Sequence, residues 1–561
     1  EKVLPVPAIG LINRGFKTEV RPAMDDPLVE TNCVACGNCI DSCPTGSLAA
    51  KYAFPGFASL QADMVSTHCG FCSIGCELSV KKFSEDRYFT TASGKPGDYI
   101  CRYGRFGNEL FIKQERIVRP EVREEGVYKQ TDFPEATAKI VADLNKVKAE
   151  HGAESVAVFI SPELTNEEFY LASRIAREGL GTNNIGSLAI ASGGSKSGIL
   201  DSALGFTAST TDRKCLADAD LIICNNTAIE ADHLVLGVDV MEAVRSGAKL
   251  VVSNSVIDPT DMHMATLTAD PMRGRASIFW NSVLKSLDGS DADIELASAK
   301  SGVSAELIQK TAELINKSEN VVIIHGEDKP HDASPGDMET LSNIVVKLNN
   351  SNQHAHILLP RMLANSAGLE VMGADPAFLP GRIAATDLPG ATCNQDLRAL
   401  LDDGKIRGAI VIGENPFDND KTTAWFQNIE FLAAIDWTPT ETTRFADVTL
   451  PGATYLETAG TRCNFEGRVL QYSAAVKSPA GVTGTETVIE IAKAFGLDIA
   501  ADLQAEVNEV AISGTGELAP YYWNTGQQRN WNKNGKMVQV ETDGKASSIR
   551  PPVTYSQKYR K

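Results

Sequence analysis

The sequence predicts an α/β protein built on parallel sheets, and three observations predict it. Continuous apolar runs rich in β-branched residues recur at Val156–Ile160, Leu221–Cys224, Leu250–Val252, Val321–Ile324, His356–Leu359 and Ala409–Ile412. Strands that are apolar at every position must be covered on both faces, and segments of helical pattern lie between them to do so. The composition agrees: 43% hydrophobic and 22% charged residues in a chain of 561, with 45 Gly and 25 Pro, exclude disorder and collagen-like repetition. Such a length suggests about three to five domains, each able to bury a core.

From the N-terminus, the cysteines speak first. Eight of the twelve lie within the first 101 residues, in two tight groups. Cys33, Cys36, Cys39 and Cys43, followed by Pro44, read C-x2-C-x2-C-x3-C-P, the run of bacterial ferredoxins. In that run three thiolates hold one cubane cluster and the fourth points to the other cluster of a pair. A disulfide scaffold suits a large acidic chain without a secretion signal poorly. Cys33, Cys36 and Cys39 therefore need a fourth ligand and Cys43 needs three partners, yet residues 1–32 contain no further Cys. The ligand set is expected to be completed upstream in the native chain, with a Cys directly before Glu1, or by a partner.

The second group is Cys69, Cys72, Cys76 and Cys101, in His68-Cys-Gly-Phe-Cys-Ser-Ile-Gly-Cys76 and Cys101-Arg-Tyr-Gly-Arg-Phe-Gly107. Four thiolates suffice for one 4Fe-4S cluster, with four-cysteine zinc as the competing reading. Beside a ferredoxin run, the spacing favours iron-sulfur. His68 reads as a neighbouring hydrogen-bond donor, because the thiolates already fill the site. Cys215, Cys224, Cys393 and Cys463 are scattered and read as structural thiols.

After residue 118 the helical and strand patterns alternate. Thr165-x-x-Glu168 is a capping box opening a helix through Arg177, and Ala305–Ile315 places Leu307, Ile308, Leu314 and Ile315 at helical spacing. Several strands end in small polar loops, namely Cys224-Asn-Asn-Thr227, Ser253-Asn-Ser255 and Gly413-Glu-Asn-Pro416. Open α/β sheets bind ligands at such strand ends, so a cofactor cleft, ancestral or live, is expected there. No G-x-G-x-x-G follows a strand, and Gly193-Gly-Ser-Lys-Ser-Gly198 reads as a turn, so no nucleotide site of the chain's own is expected. The segment 501–561, with Tyr521, Tyr522, Trp523 and Trp531 among polar residues, reads as a docking tail.

Charge and hydropathy narrow the partners. Lys plus Arg number 53 and Asp plus Glu 72, a net charge of −19 that repels a phosphate backbone. Nucleic acid is not an expected partner. No run reaches the ~20 apolar residues of a membrane helix, and no signal-peptide pattern is present, so the expected location is the cytoplasm, peripheral to a membrane through partners.

Together the motifs resemble the molybdopterin oxidoreductase superfamily, specifically the large iron-sulfur subunit of complex I (NADH dehydrogenase) and formate dehydrogenase catalytic subunits. Ile9-Gly-Leu-Ile-Asn-Arg-Gly-Phe-Lys-Thr18 is similar to the segment between that family's two ferredoxin motifs. Cys69 to Gly107 resembles its cluster domain, and Gly413-Glu-Asn-Pro416, Asp447-Val-Thr-Leu-Pro-Gly452 and Asn464-Phe-Glu-Gly-Arg468 resemble its later signatures. The resemblance implies the following domains: 1–60, the C-terminal part of a two-cluster ferredoxin-like domain; 61–117, a small 4Fe-4S domain joined by about 440–480; 118–185 with 360–500, an α/β domain; and 186–359, an inserted Rossmann-like domain.

Departures from the family decide the functional expectation. Ser192 and Gly193 stand where formate dehydrogenases carry Cys or selenocysteine and His. Ser253-Asn-Ser255 replaces Asp-Pro-Arg, Tyr103 replaces the relay Lys, and the chain after about 500 looks too short for the full C-terminal dinucleotide-binding domain. The expected protein is thus an electron-transfer subunit of a multi-subunit NAD(P)H-linked oxidoreductase, complex I-like or a soluble ferredoxin-linked or bifurcating enzyme. Its clusters would be one on Cys69, Cys72, Cys76 and Cys101, one on Cys33, Cys36 and Cys39 with an upstream ligand, and a further upstream cluster taking Cys43. No molybdopterin and no substrate chemistry are expected on this chain. Partners implied are a flavin- and NAD(P)-binding subunit, other iron-sulfur subunits and ferredoxin. The competing reading is a molybdenum- or tungsten-dependent formate dehydrogenase catalytic subunit.

Overall fold

A computed structural model describes residues 8–31, 33–50, 62–95, 98–191, 203–204, 208–256, 263–289, 293–326, 336–351, 353–385 and 397–514, with 4, 6 and 537. The turn at Gly193–Gly198, the Ser192 and Gly193 positions, Cys393 and the aromatic tail residues lie outside the described residues.

Two parallel sheets dominate. A seven-stranded sheet runs in the order Val127–Gln130, Glu121–Glu124, Val448–Pro451, Phe431–Asp436, Gly408–Ile412, Val156–Ile160 and Ile185–Gly186. Its last five strands are parallel, and Glu121–Glu124 pairs antiparallel to Val448–Pro451. Between its two halves in sequence the chain builds a five-stranded all-parallel sheet, ordered Leu267–Ala269, Lys249–Ser253, Leu221–Asn225, Asn320–His325 and His354–Leu358. The apolar runs are therefore strands. His354–Leu358 begins two residues before the expected run, because ladder pairing of His354 with Asn320 admits a polar start that hydrophobicity does not reveal.

Helices cover both sheets for readable reasons. In Phe133–His151, Asp132 caps the N-terminus by accepting from the Glu135 amide at 2.9 Å, and Gly152 at φ 89° follows the last turn. Its Ala136, Ile140, Leu144 and Val147 recur on one face and pack on the seven-stranded sheet. Fully burying such side chains contributes ~1.5–3 kcal/mol each. The Thr165–Glu168 capping box is formed, and its helix, Asn166–Arg174, continues as a π-turn over Ile175–Leu180. The other expected helix spans Ala305–Lys317.

The N-terminal part is antiparallel and small. Asp63–His68, Glu77–Ser84 and Arg87–Ala92 form a three-stranded sheet, against which the hairpin Gly460–Cys463/Val469–Tyr472 returns from far along the chain. Ser473 N donates to Thr67 Oγ1 at 3.1 Å across that junction. Residues 503–514 depart from the docking-tail expectation. They form the helix Leu503–Gly514, whose Val507 and Ala511 are buried in the core of the seven-stranded sheet, and Glu506 accepts from Tyr170 Oη at 2.8 Å. An apolar face of only a few residues was outweighed in the sequence by its polar surroundings.

Candidate metal centre

The loop before the three-stranded sheet carries the first thiols. Gly37 at φ 77° opens the short helix Asn38–Ser42, placing Cys36 and Cys39 half-buried beside the exposed Cys33. Burial, then the neighbouring sulfurs, pushes the Cys36 thiol up, and burial with Cys33 does the same at Cys39. Cys43 differs. Its Sγ lies 3.5 Å from Thr45 Oγ1, and that contact with nearby backbone amides draws its pKa down to about 7. Cys36 and Cys39 thus each feel the charge of Cys33, while Cys43 contacts Thr45 within its own loop.

The second group converges from two segments. Cys69 N donates to Cys76 O at 2.8 Å, closing the loop of Cys69, Cys72 and Cys76. Gly75 turns that loop at φ 63°, and a Cβ there would sit 2.3 Å from Leu470 Cδ1. Cys101 arrives from the other side, just before the π-turn Tyr103–Gly107. The four cysteines line one apolar cavity with Phe71, Ile74 and Ile100, closed by Leu234 and Val235 from the five-stranded domain. Burial, reinforced by Cys72, Cys69 and Cys101, drives the Cys76 thiol well up, as mutually repelling sulfurs around one space require. Among the described residues, the one set of three or more Cys, His, Asp or Glu ligand atoms within 4.8 Å of one another is Glu150, His151 and Glu430, on the surface. The four thiols are spread more widely than that.

Polar residues frame the cavity. His68 Nδ1 lies 2.9 Å from Gln471 O, the neighbouring role read for it in the sequence. Tyr472 Oη donates to Cys69 O at 2.9 Å. Arg213, which faces Cys76, is paired with Asp239 at 2.6 Å, and Tyr99 also donates to Asp239. Arg105 donates to both carboxylate oxygens of Asp41, tying the first cysteine group to the second. Arg462 is buried, with its guanidinium carbon 4.3 Å from the Tyr472 ring centroid and 5.8 Å from that of Tyr455. Sequence reasoning missed Arg105, Asp41, Arg213, Asp239, Tyr472 and Arg462. The Arg105 segment was quoted only as a motif, and no local signal marked the others.

The strand-end loops are braced by the chain's own groups, and the ends of the seven-stranded sheet border a cavity lined by Ser161, Glu163, Gly413, Asp436, Trp437 and Arg462. Asn254 Oδ1 accepts from Thr227 N at 3.0 Å, and its Nδ2 donates to Thr227 O at 2.8 Å. Asp232 accepts from Ala228 N at 2.9 Å, at the start of the helix Ile229–Asp232. Asn225 bridges Trp280 Nε1, at 2.7 Å, and His325 Nδ1, at 2.9 Å. In the seven-stranded sheet, Glu168 accepts from Thr165 N, and Glu167 accepts from Thr461 N at 2.9 Å and Thr461 Oγ1 at 2.8 Å. Glu414 accepts from Ser187 Oγ at 2.6 Å and Leu188 N at 2.9 Å.

With this geometry in hand, the comparisons are specific. The family model described as molybdopterin oxidoreductase matches residues 116–482, well over half of the chain. The chain belongs to the molybdopterin oxidoreductase family. Within that family it is 25% identical over 518 residues to the NADPH-Fe(3+) oxidoreductase subunit alpha of Geobacter sulfurreducens, covering 84% of this chain and 60% of the relative. It is also 25% identical to YrhE, a candidate formate dehydrogenase of Bacillus subtilis, over 72% of this chain and 46% of the relative. The chain thus spans about half to three fifths of the length of these curated relatives. Acetylene hydratase from Pelobacter acetylenicus shares the fold, with a TM-score of 0.63 at 15% identity over 80% of this chain and 72% of the other.

Proposed function

We propose that this molybdopterin oxidoreductase family member is an iron-sulfur electron-transfer subunit of an NAD(P)H-linked oxidoreductase. The observation that carries the reading is the convergence of Cys69, Cys72, Cys76 and Cys101 on one apolar cavity. Four-cysteine zinc is the competing occupant, and the ferredoxin-type run of Cys33, Cys36, Cys39 and Cys43 in the same chain favours a 4Fe-4S cluster. A cluster bound there accepts and releases single electrons. The chain's own residues keep water out of that space with Phe71, Ile74 and Leu234, and Tyr472 holds the Cys69 carbonyl. A second cluster falls to Cys33, Cys36 and Cys39 with a thiolate from outside the described residues, and Cys43 turns to a third.

The strand ends support a body without a metal-pterin cofactor. Helix N-termini receive phosphate through free amides and favour negative charge. Here Asp232 caps one such start, and Glu167, Glu168 and Glu414 place carboxylates at others. Among the described residues, Asp232, Glu168 and Glu414 occupy helix-start amides that a pyrophosphate would otherwise take. The Geobacter relative's name, a subunit alpha of an NADPH-Fe(3+) oxidoreductase, supports partner subunits and an NADPH-linked reaction; the proposal adds a flavin- and NAD(P)-binding subunit and a ferredoxin-type acceptor as those partners. A formate dehydrogenase is the second reading, favoured by the name of YrhE. Iron, sulfide, molybdenum and tungsten analysis of the isolated complex separates the two: iron and sulfide alone support electron transfer, and stoichiometric molybdenum or tungsten overturns it.

A further inference from the structure

Arg462 is buried beside the cysteine loop, on the wall of the cavity at the ends of the seven-stranded sheet, and forms no ion pair among the described residues. The residue is 3% exposed, and its Nε and Nη1 have no hydrogen-bond partner among the described residues. Other buried or half-buried arginines close by are paired: Arg105 with Asp41, Arg116 with Glu457 and Arg213 with Asp239. A charge buried without a counter-charge is strongly unfavourable; Glu163 and Asp436 share its cavity, but no ion pair joins either to Arg462 among the described residues, and burial pushes the Asp436 carboxyl up to about 7. Glu168, whose charge Arg462 favours, is fully buried and pushed up by burial, and its Oε2 accepts from both the amide and the hydroxyl of Thr165. It does not form an ion pair with Arg462.

The location supplies the answer. A Cβ built on Gly70, inside the Cys69–Cys72 loop, would lie 2.7 Å from Arg462 Nη1. Tyr472 touches both groups, its ring centroid 4.3 Å from the Arg462 guanidinium carbon and its hydroxyl donating to the Cys69 carbonyl at 2.9 Å. We propose that Arg462 is a positioning residue that sets the reduction potential of the cluster on Cys69, Cys72, Cys76 and Cys101, its guanidinium being the buried counter-charge to the anionic thiolate site. The inference rests on the cluster reading above. One-electron reduction adds a negative charge to the site, and a cation held nearby in a low dielectric favours the reduced form. Arg213 contributes less because Asp239 neutralises it.

The test is an EPR-monitored redox titration of the full protein with its clusters, for wild type, Arg462→Met and Arg462→Lys. Arg462→Met is expected to make reduction at this cluster about tenfold less favourable, about 59 mV lower for a one-electron couple. Arg462→Lys, which keeps the charge, is expected to restore more than half of that shift. An intact cluster signal with unchanged potential in Arg462→Met overturns the inference, whereas absence of any iron-sulfur signal in wild type overturns the cluster reading itself. A second measurement covers a variant that assembles no cluster. With the clusters stripped, Arg462→Met is expected to unfold at a higher temperature than stripped wild type, since it no longer buries an uncompensated cation, and a lower midpoint overturns the proposal.

Discussion

Arg105 and Asp41 meet in a two-pronged ion pair, Nη1 to Oδ2 at 2.6 Å and Nη2 to Oδ1 at 2.5 Å. The pair joins two segments 64 residues apart, each bearing a cysteine group, and Gly37 packs so tightly on the same arginine that a Cβ there would lie 2.9 Å from Nε. Arg105 is 5% exposed at its side chain and Asp41 33%. The arginine is therefore buried in the body while the more exposed carboxylate comes from the short helix Asn38–Ser42.

Asp41→Asn keeps the shape and removes the charge. Because Asp41 is partly solvated, the loss is expected to be about 1–2 kcal/mol rather than the full value of a buried pair. Hydrogen exchange over residues 33–48 is expected to quicken by about 5- to 30-fold, with exchange at Val156–Ile160 unchanged. Equal exchange in wild type and variant would show that the pair does not hold the loop.

Cys72→Ser removes a thiolate from the closed set. Iron and acid-labile sulfide in the purified protein are expected to fall by about four atoms each per chain, leaving the signals of the other clusters in place. Zinc appearing in wild type without sulfide would falsify the iron-sulfur assignment.

Glu414 gives the pH dependence a sign. Burial pushes its carboxyl from 4.5 up to about 7, against the hydrogen bonds from Ser187, Leu188 and Ala189 that favour the charged form. Between these values the folded chain keeps a proton that the unfolded chain has released. Stability from this group is thus fully present below pH 4.5 and falls as pH rises towards 7, by about 2–3 kcal/mol. Glu414→Gln is expected to flatten that fall. Thermal midpoints at the two ends of the window check it, and an unchanged slope would place the titration elsewhere.

Elemental analysis of the intact complex is expected to return iron without stoichiometric molybdenum or tungsten, and a formate-to-dye assay is expected to give no turnover. Substituting Asp232→Ala, which frees the Ala228 amide, is not expected to create pterin binding, because Asn254 still occupies the Thr227 backbone.

Local physics made much of this legible. Strands apolar at every position, such as Val156–Ile160, and the Thr165–Glu168 capping box state their structure within a few residues. Thiolate spacing likewise advertises Cys69, Cys72 and Cys76. What could not be read depends on partners distant in sequence. Arg462 looks like any surface cation until the hairpin returns to Gly70, and Asp239 becomes a counter-charge only once Arg213 packs beside it. Glu167 sits one residue from a helix cap, where an acidic residue is ordinary, and its burial by Thr461 has no local signature. The helix Leu503–Gly514 is obscured for a related reason, since only Val507 and Ala511 among its described side chains reach full burial.

The hairpin that closes the cysteine cavity has a consequence for biosynthesis. Cys101 leaves the ribosome early, but Tyr472, which secures the Cys69 carbonyl, is residue 472 of 561. Contacts of such sequence separation form late, after the intervening sheets exist to bring the ends together. Until that contact forms, the thiols of the cluster proposed on Cys69, Cys72, Cys76 and Cys101 lack the hairpin that encloses them, with more than 350 residues between Cys101 and Tyr472. On that reading the cysteines can be made early and still stay open, and docking of the hairpin closes the site.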